Sequence, residues 1–338
     1  MNALAFLSAY LFLQLGWGIQ AAASPAETQS TAMRPPVRLS APLVLQAFPL
    51  LQAEKSAAFR EAGATAQFTF WRSPEQLRAL VANGQVDAVV AALPTAAVLA
   101  RRGVPCVALA AYAAPLWIVG PAHLAREGEP PLDTFRRLLA KEILLPFGPG
   151  NMPELAMRVL AVEVGLNVTH RHCGSAMEAL NLLRIGQGSA ALLPEPSASM
   201  ALNEGTVVRL LDLREAWAAV FPEHRDMPTA CFVAVGDAAC DPHLRTLLRQ
   251  SFVEGMKYMV DEPETAFAAA RNSCAEFRVI LERLPDGGST FLRSPVLLAG
   301  ERGKEAALFM LEQLQKMVPS SVGGALPPSG FWDMGHEK

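Results

Sequence analysis

An excess of positive charge is missing from this sequence. Its 29 Lys and Arg face 32 Asp and Glu, the net charge is −3, and no long basic run occurs. A nucleic-acid partner therefore has no electrostatic footprint to bind. Charged residues make up only 18% of the chain against 51% apolar ones, which excludes a disordered, solvated chain. Cysteine is sparse and odd in number. Cys106, Cys173, Cys231, Cys240 and Cys274 are irregularly spaced, so they outline no disulfide scaffold and read as small buried apolar side chains. There is no G-x-S-x-G elbow and no protease-like cysteine signature, so no nucleophile is assigned and the chain reads as a non-enzyme. No fixed-period repeat or low-complexity block appears.

Early charge is lacking too. The first charged side chain is Glu27, the first basic one Arg34, and residues 3–23 are almost wholly apolar, ending Ala21-Ala22-Ala23-Ser24. Small residues at that point suit a signal peptidase, so 1–23 reads as a cleaved signal peptide and 24–36 as a polar linker, which places the protein in the periplasm. No cysteine stands at the junction to carry a lipid anchor.

What is present is length and alternation. A chain of 338 residues is natural for two lobes. Strand and helix patterns alternate from Val37: strands at 37–40, 66–71, 87–91 and 107–112, with helices over 49–62, 74–83 and 94–102 between them. Ser73-Pro74-Glu75 opens one helix with a cap and a proline in the first turn. A second α/β series runs from Leu116, with strands at 116–120, 142–145, 168–172 and 190–193 and helices over 133–140, 154–164 and 175–185. The chain returns through a strand at 230–235, everything after Pro242 reads as helical, and 318–330 as a terminal loop. The β-α-β order implies open parallel sheets with helices on both faces. Lobe one would comprise 37–115 with 231–333, and lobe two 116–230.

Three stretches carry a resemblance. NGQVDAVVAALPTAAVLARRGVP at 83–105, LPFGPGNMPELAMRVLAVEVGLN at 145–167 and VPSSVGGALPPSGFWD at 318–333 resemble, in order, motifs of the NitT/TauT-type (nitrate, sulfonate, taurine) solute-binding proteins of ABC importers. The likeness implies a type II periplasmic-binding-protein fold, two open-sheet lobes joined by two crossing strands, with a small molecule held between them. It also implies a monomeric receptor that delivers its ligand to a membrane permease, without a cofactor. Fungal pyrimidine synthases related to that family are enzymes, but their cysteine-rich catalytic run has no counterpart here.

In open α/β sheets the ligand crevice lies beyond the carboxyl ends of the strands. That rule nominates Ser40, Ala41 and Pro42; Trp71 and Arg72; Leu93, Pro94 and Thr95; Tyr112; Glu195 with Pro194; and Met227, Pro228 and Thr229 in the return. Trp71 would cover a flat or apolar part of a ligand and Arg72 would pair an anionic group. Gly148, Gly150, Asn151 and Met152 form a turn at a helix start, where unpaired N–H groups and the helix dipole favour an oxyanion. Pro153 occupies the third glycine position of a dinucleotide fingerprint, which rejects NAD. His170 and His172 share one strand face, but Cys173 points to the other and no further ligand pair is evident, so no metal is assigned. Asp212 with Glu215 reads as a solvated helix end. The loops at the strand ends are rich in Ala, Leu and Pro, so a small organic ligand with at most one anionic group is expected rather than nitrate. Two competing readings stay open: an exported pyrimidine-synthase-like enzyme, and the sensor domain of a membrane receptor.

Overall fold

The structure is a computed structural model, and it describes residues 35–335 apart from 43, 203–204, 274, 285–291 and 293. The expected signal peptide and most of the linker, as well as Cys274 and His336, lie outside the described residues. Among the described residues no helix is long and apolar enough to cross a membrane.

Eleven described strands form two sheets. The first sheet holds β1 (Val37–Pro42), β2 (Ala66–Trp71), β3 (Ala88–Ala92), β4 (Cys106–Ala113), β10 (Ala230–Val235) and β11 (Val296–Leu298) in the order β11-β4-β10-β3-β1-β2. The second holds β5 (Leu116–Pro121), β6 (Ile143–Leu145), β7 (His170–His172), β8 (Ala190–Pro194) and β9 (Val207–Asp212) in the order β7-β6-β8-β5-β9. Neither sheet is wholly parallel as expected. β10 runs antiparallel to β3 and β4, and β5 antiparallel to β8 and β9. The reason is the path of the chain: β5 and β10 are the strands that have just crossed from the other sheet, so each enters from the crossing edge.

Period-two alternation then fills two cores at once. Along β10, Ala230, Phe232 and Ala234 face a core with Leu39, Phe48 and Phe252. Cys231, Val233 and Val235 face another with Leu93, Trp217 and Leu311. Both faces of the central strands are covered, which is why β3, β4 and β10 read as unbroken apolar runs.

Local chemistry sets the helix ends. The Ser73 hydroxyl accepts from Gln76 N at the start of the helix Pro74–Ala82, and Ser175 does the same for Glu178 N. The single helix expected over 49–62 is broken: Phe48–Leu51 and Ala57–Ala62 are separate, because Ser56 adopts an extended ψ of 150° and caps the second. Among the elements that escaped the sequence reading are the helix Ser197–Ala201, β9, and the helix Leu213–Val220. The region after Pro242 is not all helical, since β11 adds an edge strand antiparallel to β4. The tail is no loose loop either, for Trp332 bridges to Ala108 and Val322 and Phe331 are buried. The helix Gly300–Met317 packs on both Leu93–Arg101 and Met152–Glu163, and so ties helices of the two sheets together.

Candidate functional site

The crossing edges of the two sheets enclose a cavity of about 330 Å³. The parallel strands reach it by their carboxyl ends: Pro42 on β1, Trp71 on β2, Ala92 on β3, Phe147 just after β6, and Pro194 on β8. The crossing strands reach it by their amino ends, through Leu116 and Ala230. Thr229 stitches the two crossings. Its N–H donates to Tyr112 O at 3.1 Å, its hydroxyl accepts from Ala114 N at 3.1 Å, and its carbonyl accepts from Leu93 N. Thr229 is buried, so these bonds are shielded from water.

Of the residues nominated from sequence, Pro42, Trp71, Arg72, Thr95, Asn151, Met152, Pro194, Glu195 and Thr229 line this cavity. Ser40, Ala41, Leu93, Pro94 and Tyr112 are buried and do not line it; the Ser40 hydroxyl donates to Thr69 O across the sheet. They sit one or two residues too early in their strands, or on the core side of the helix start. Gly148 and Gly150 are exposed on the turn without lining the cavity. Met227 lines a separate depression of about 590 Å³ with Asp212 and Arg214. The sequence reading passed over Val44, Pro74, Phe147, Pro153 and Leu116, although the carboxyl-end rule that found their neighbours applies to several of them. Phe147 is the most distinctive: its φ of 68° places a non-glycine residue in the left-handed region, at a cost of order 1 kcal/mol.

The walls are mostly apolar, and the Trp71 indole is held in place, its Nε1 donating to Val90 O at 3.3 Å. Polar groups come from Arg72, Thr95, Asn151, Glu195 and Thr229. Glu195 is already engaged. Its carboxylate accepts from Ser199 N at 3.0 Å and from Arg209 Nη2 at 2.8 Å, while the Arg209 guanidinium lies 4.8 Å over the Trp117 ring.

The turn before the helix Met152–Glu163 differs from expectation in the same sense. Asn151 stands at the N-cap position, but its side chain makes no capping bond and donates instead to Gly148 O at 2.6 Å. The Gly150 N–H donates to Glu154 Oε2 at 2.6 Å, so a carboxylate of the chain itself takes one of the donors that the sequence reading reserved for an oxyanion. Burial works to raise the Glu154 carboxyl, yet the Gly150 N–H, the nearby His172 imidazole and Arg158 outweigh it and hold it below its ordinary value. Asp212 repeats the pattern. Far from being solvated, it is buried, caps Leu213–Val220 by accepting from Arg214 N, and pairs with Arg214 at 2.6 Å.

No protein-family model matches the chain, and no curated protein does. Solved structures do match in fold. An ABC transporter protein from Parabacteroides distasonis superposes with a TM-score of 0.70 at 18% identity, covering 88% of this chain and 98% of that one. The periplasmic aliphatic sulphonate binding protein SsuA of Escherichia coli gives 0.62 at 13% identity, with 87% and 96% covered. The periplasmic nitrate-binding protein NrtA of Synechocystis gives 0.60 at 14% identity, with 83% and 81% covered. With the strand orders above, these likenesses define the class: the chain has the type II periplasmic-binding-protein fold, two open-sheet lobes joined by two crossings.

Proposed function

We propose that this protein is an extracytoplasmic solute receptor of an ABC importer, which captures a small organic molecule between its lobes and hands it to a membrane permease. Lobe one is 37–115 with 231–333, lobe two is 116–230, and the chemistry is capture and release with no bond made or broken. The observation that carries this reading is the cavity at the crossing edges, lined by strand ends of both sheets beside the two crossings. A ligand there touches both lobes, so it favours the closed arrangement by its differential contacts.

The lining sets the ligand class. Trp71, Phe147, Met152, Leu116 and four prolines offer an apolar enclosure, and the second lobe brings its own carboxylates to its helix starts. Building in anions at those points leaves little for a bare inorganic oxyanion to satisfy. A ligand with an aromatic or aliphatic body against Trp71 and one polar or anionic group towards Arg72, Asn151 and Thr95 fits best.

The test is a thermal-shift screen of the purified protein against sulfonates, pyrimidines, carboxylates, amino acids and inorganic oxyanions. Native-state binding raises the melting temperature by mass action. One organic class is expected to raise it, with the shift reduced at least about tenfold in apparent affinity by Trp71→Ala. Tight nitrate or sulfate binding that ignores Trp71 would overturn the ligand class. Turnover of any screened compound would overturn the receptor reading.

A further inference from the structure

The sequence showed His170 and His172 on one face of a strand and supplied no third ligand. The fold supplies it. Glu154, in the first turn of Met152–Glu163, lies beside β7, and one ligating atom from each of Glu154, His170 and His172 falls within 4.8 Å of the others. We propose that these three residues form a binding site for a divalent transition cation of the zinc type, separate from the cavity between the lobes.

The donor set is the right one. Two imidazoles and a carboxylate suit zinc, with a fourth position left for water. His172 Nε2 already stands 3.3 Å from a Glu154 oxygen. That is about the spacing of two ligands on a tetrahedral ion with legs of about 2 Å. The widest pair has to close by up to roughly 1.5 Å to reach the same geometry. Both histidines are half-buried on an edge strand, so side-chain rotation achieves this without moving the sheet.

The surroundings favour a metal over an ordinary polar contact. His172 Nε2 is shielded from water and makes no well-aligned hydrogen bond; its polar neighbour is the Glu154 carboxylate at 3.3 Å, and an ion between the two would take the lone pairs of both. His170 Nδ1 lies 3.3 Å from Val168 O. An imidazole donating there carries its lone pair on Nε2, the outer-shell arrangement that orients metal-binding histidines. The Glu154 side chain is only 5% exposed and is fixed by Gly150 N on Oε2 and Arg158 on Oε1, which leaves acceptor capacity on both oxygens. Arg158 is the one opposing charge on that carboxylate, and at 39% exposure it can turn to solvent. Arg171, between the two histidines, pairs with Glu142 at 3.5 Å.

The experiment uses chelator-stripped full chain titrated with zinc chloride by calorimetry, and with cobalt(II) followed by its visible spectrum. One equivalent of zinc is expected, with a tetrahedral cobalt band. His170→Ala and His172→Ala should each weaken zinc at least about tenfold, while Cys240→Ser, which removes an exposed thiol, should change nothing. The histidine variants lie on an edge strand and their thermal melts check that they fold; Glu154→Gln serves as a third probe. Absence of zinc binding, or binding that survives both histidine changes or disappears with Cys240, overturns the site. The readout needs no cleft ligand, so it stands or falls independently of the receptor reading.

Discussion

The two sheets share one strand plan and are stabilised differently. In each, three parallel strands are joined by an antiparallel strand that has just crossed over, then by two more strands beyond it in the first sheet and one in the second. The first sheet is surrounded by apolar packing. Its buried polar side chains are neutral, such as Ser40, Gln52 and Ser251, and its helices approach closely enough that a Cβ on Gly255 would lie 2.6 Å from Pro49 O. The second sheet carries all three buried carboxylates among the described residues, Glu154, Glu195 and Asp212. Each caps or abuts a helix start and each pairs with an arginine, Arg158, Arg209 or Arg214. The same fold plan thus accepts two solutions. Apolar burial is non-directional and tolerates a featureless Ala-rich strand, whereas a buried carboxylate fixes one geometry and is costly once a partner is lost.

The largest expected effect breaks the second solution. Arg209→Ala removes the partner of a carboxylate whose side chain is 1% exposed, leaving an uncompensated buried charge. Urea unfolding should show a loss of about 3 kcal/mol. Glu195→Ala should cost less, because Arg209 is 27% exposed and water can solvate it. Equal losses in the two variants would erase the distinction between a buried anion and a half-exposed cation.

A smaller effect probes the first solution. Gly255→Ala gains helix propensity of about 1 kcal/mol but forces the added methyl into Pro49 backbone, at about 1–3 kcal/mol for overpacking. The net expectation is a loss of about 1 kcal/mol in the same assay. A stabilised variant would show that the helix Pro242–Asp261 is free to shift, and that the first lobe is looser than its packing implies.

The smallest effect belongs to the surface of the second lobe. The Arg137 guanidinium bonded to Glu129 holds that carboxyl down at about 2, against an ordinary value of 4.5. A depressed carboxyl contributes stability that is fully present above the ordinary value and is lost as pH falls through the native one. The window is therefore about pH 4.5 down to 2. Carboxyl NMR titration should place the Glu129 midpoint near the low end, and Arg137→Ala should return it towards the ordinary range. Salt should weaken the pair in the intact protein only modestly, because both side chains are partly buried.

Legibility in the sequence followed the range of the interaction. Strands β2 and β10 appeared with the bounds that the structure has, since apolar alternation or an apolar run is written in consecutive residues. The Ser73 and Ser175 caps were equally local, although only the first was named. The helix break at Ser56 was missed because its cause is a single extended ψ inside a strongly apolar stretch. β9 and Leu213–Val220 were missed because their charged residues, Arg209, Asp212 and Arg214, resemble surface and turn out to be paired inside.

The sequence by itself determined the α/β class, the two-series plan, the period of most strands and the strand ends where a ligand would be sought. These follow from hydrophobic periodicity and from glycine, proline and serine punctuation, all of which act over a few residues. Tertiary structure alone decided that β5 and β10 run antiparallel. It also decided which strand-end residues face the cavity, and that Glu154 stands beside His170 and His172. Those outcomes rest on contacts between residues well beyond one helical turn apart, from the Glu154–His170 separation up to the pairing of β10 with β4, and chain topology, not local propensity, brings such groups within reach of one another.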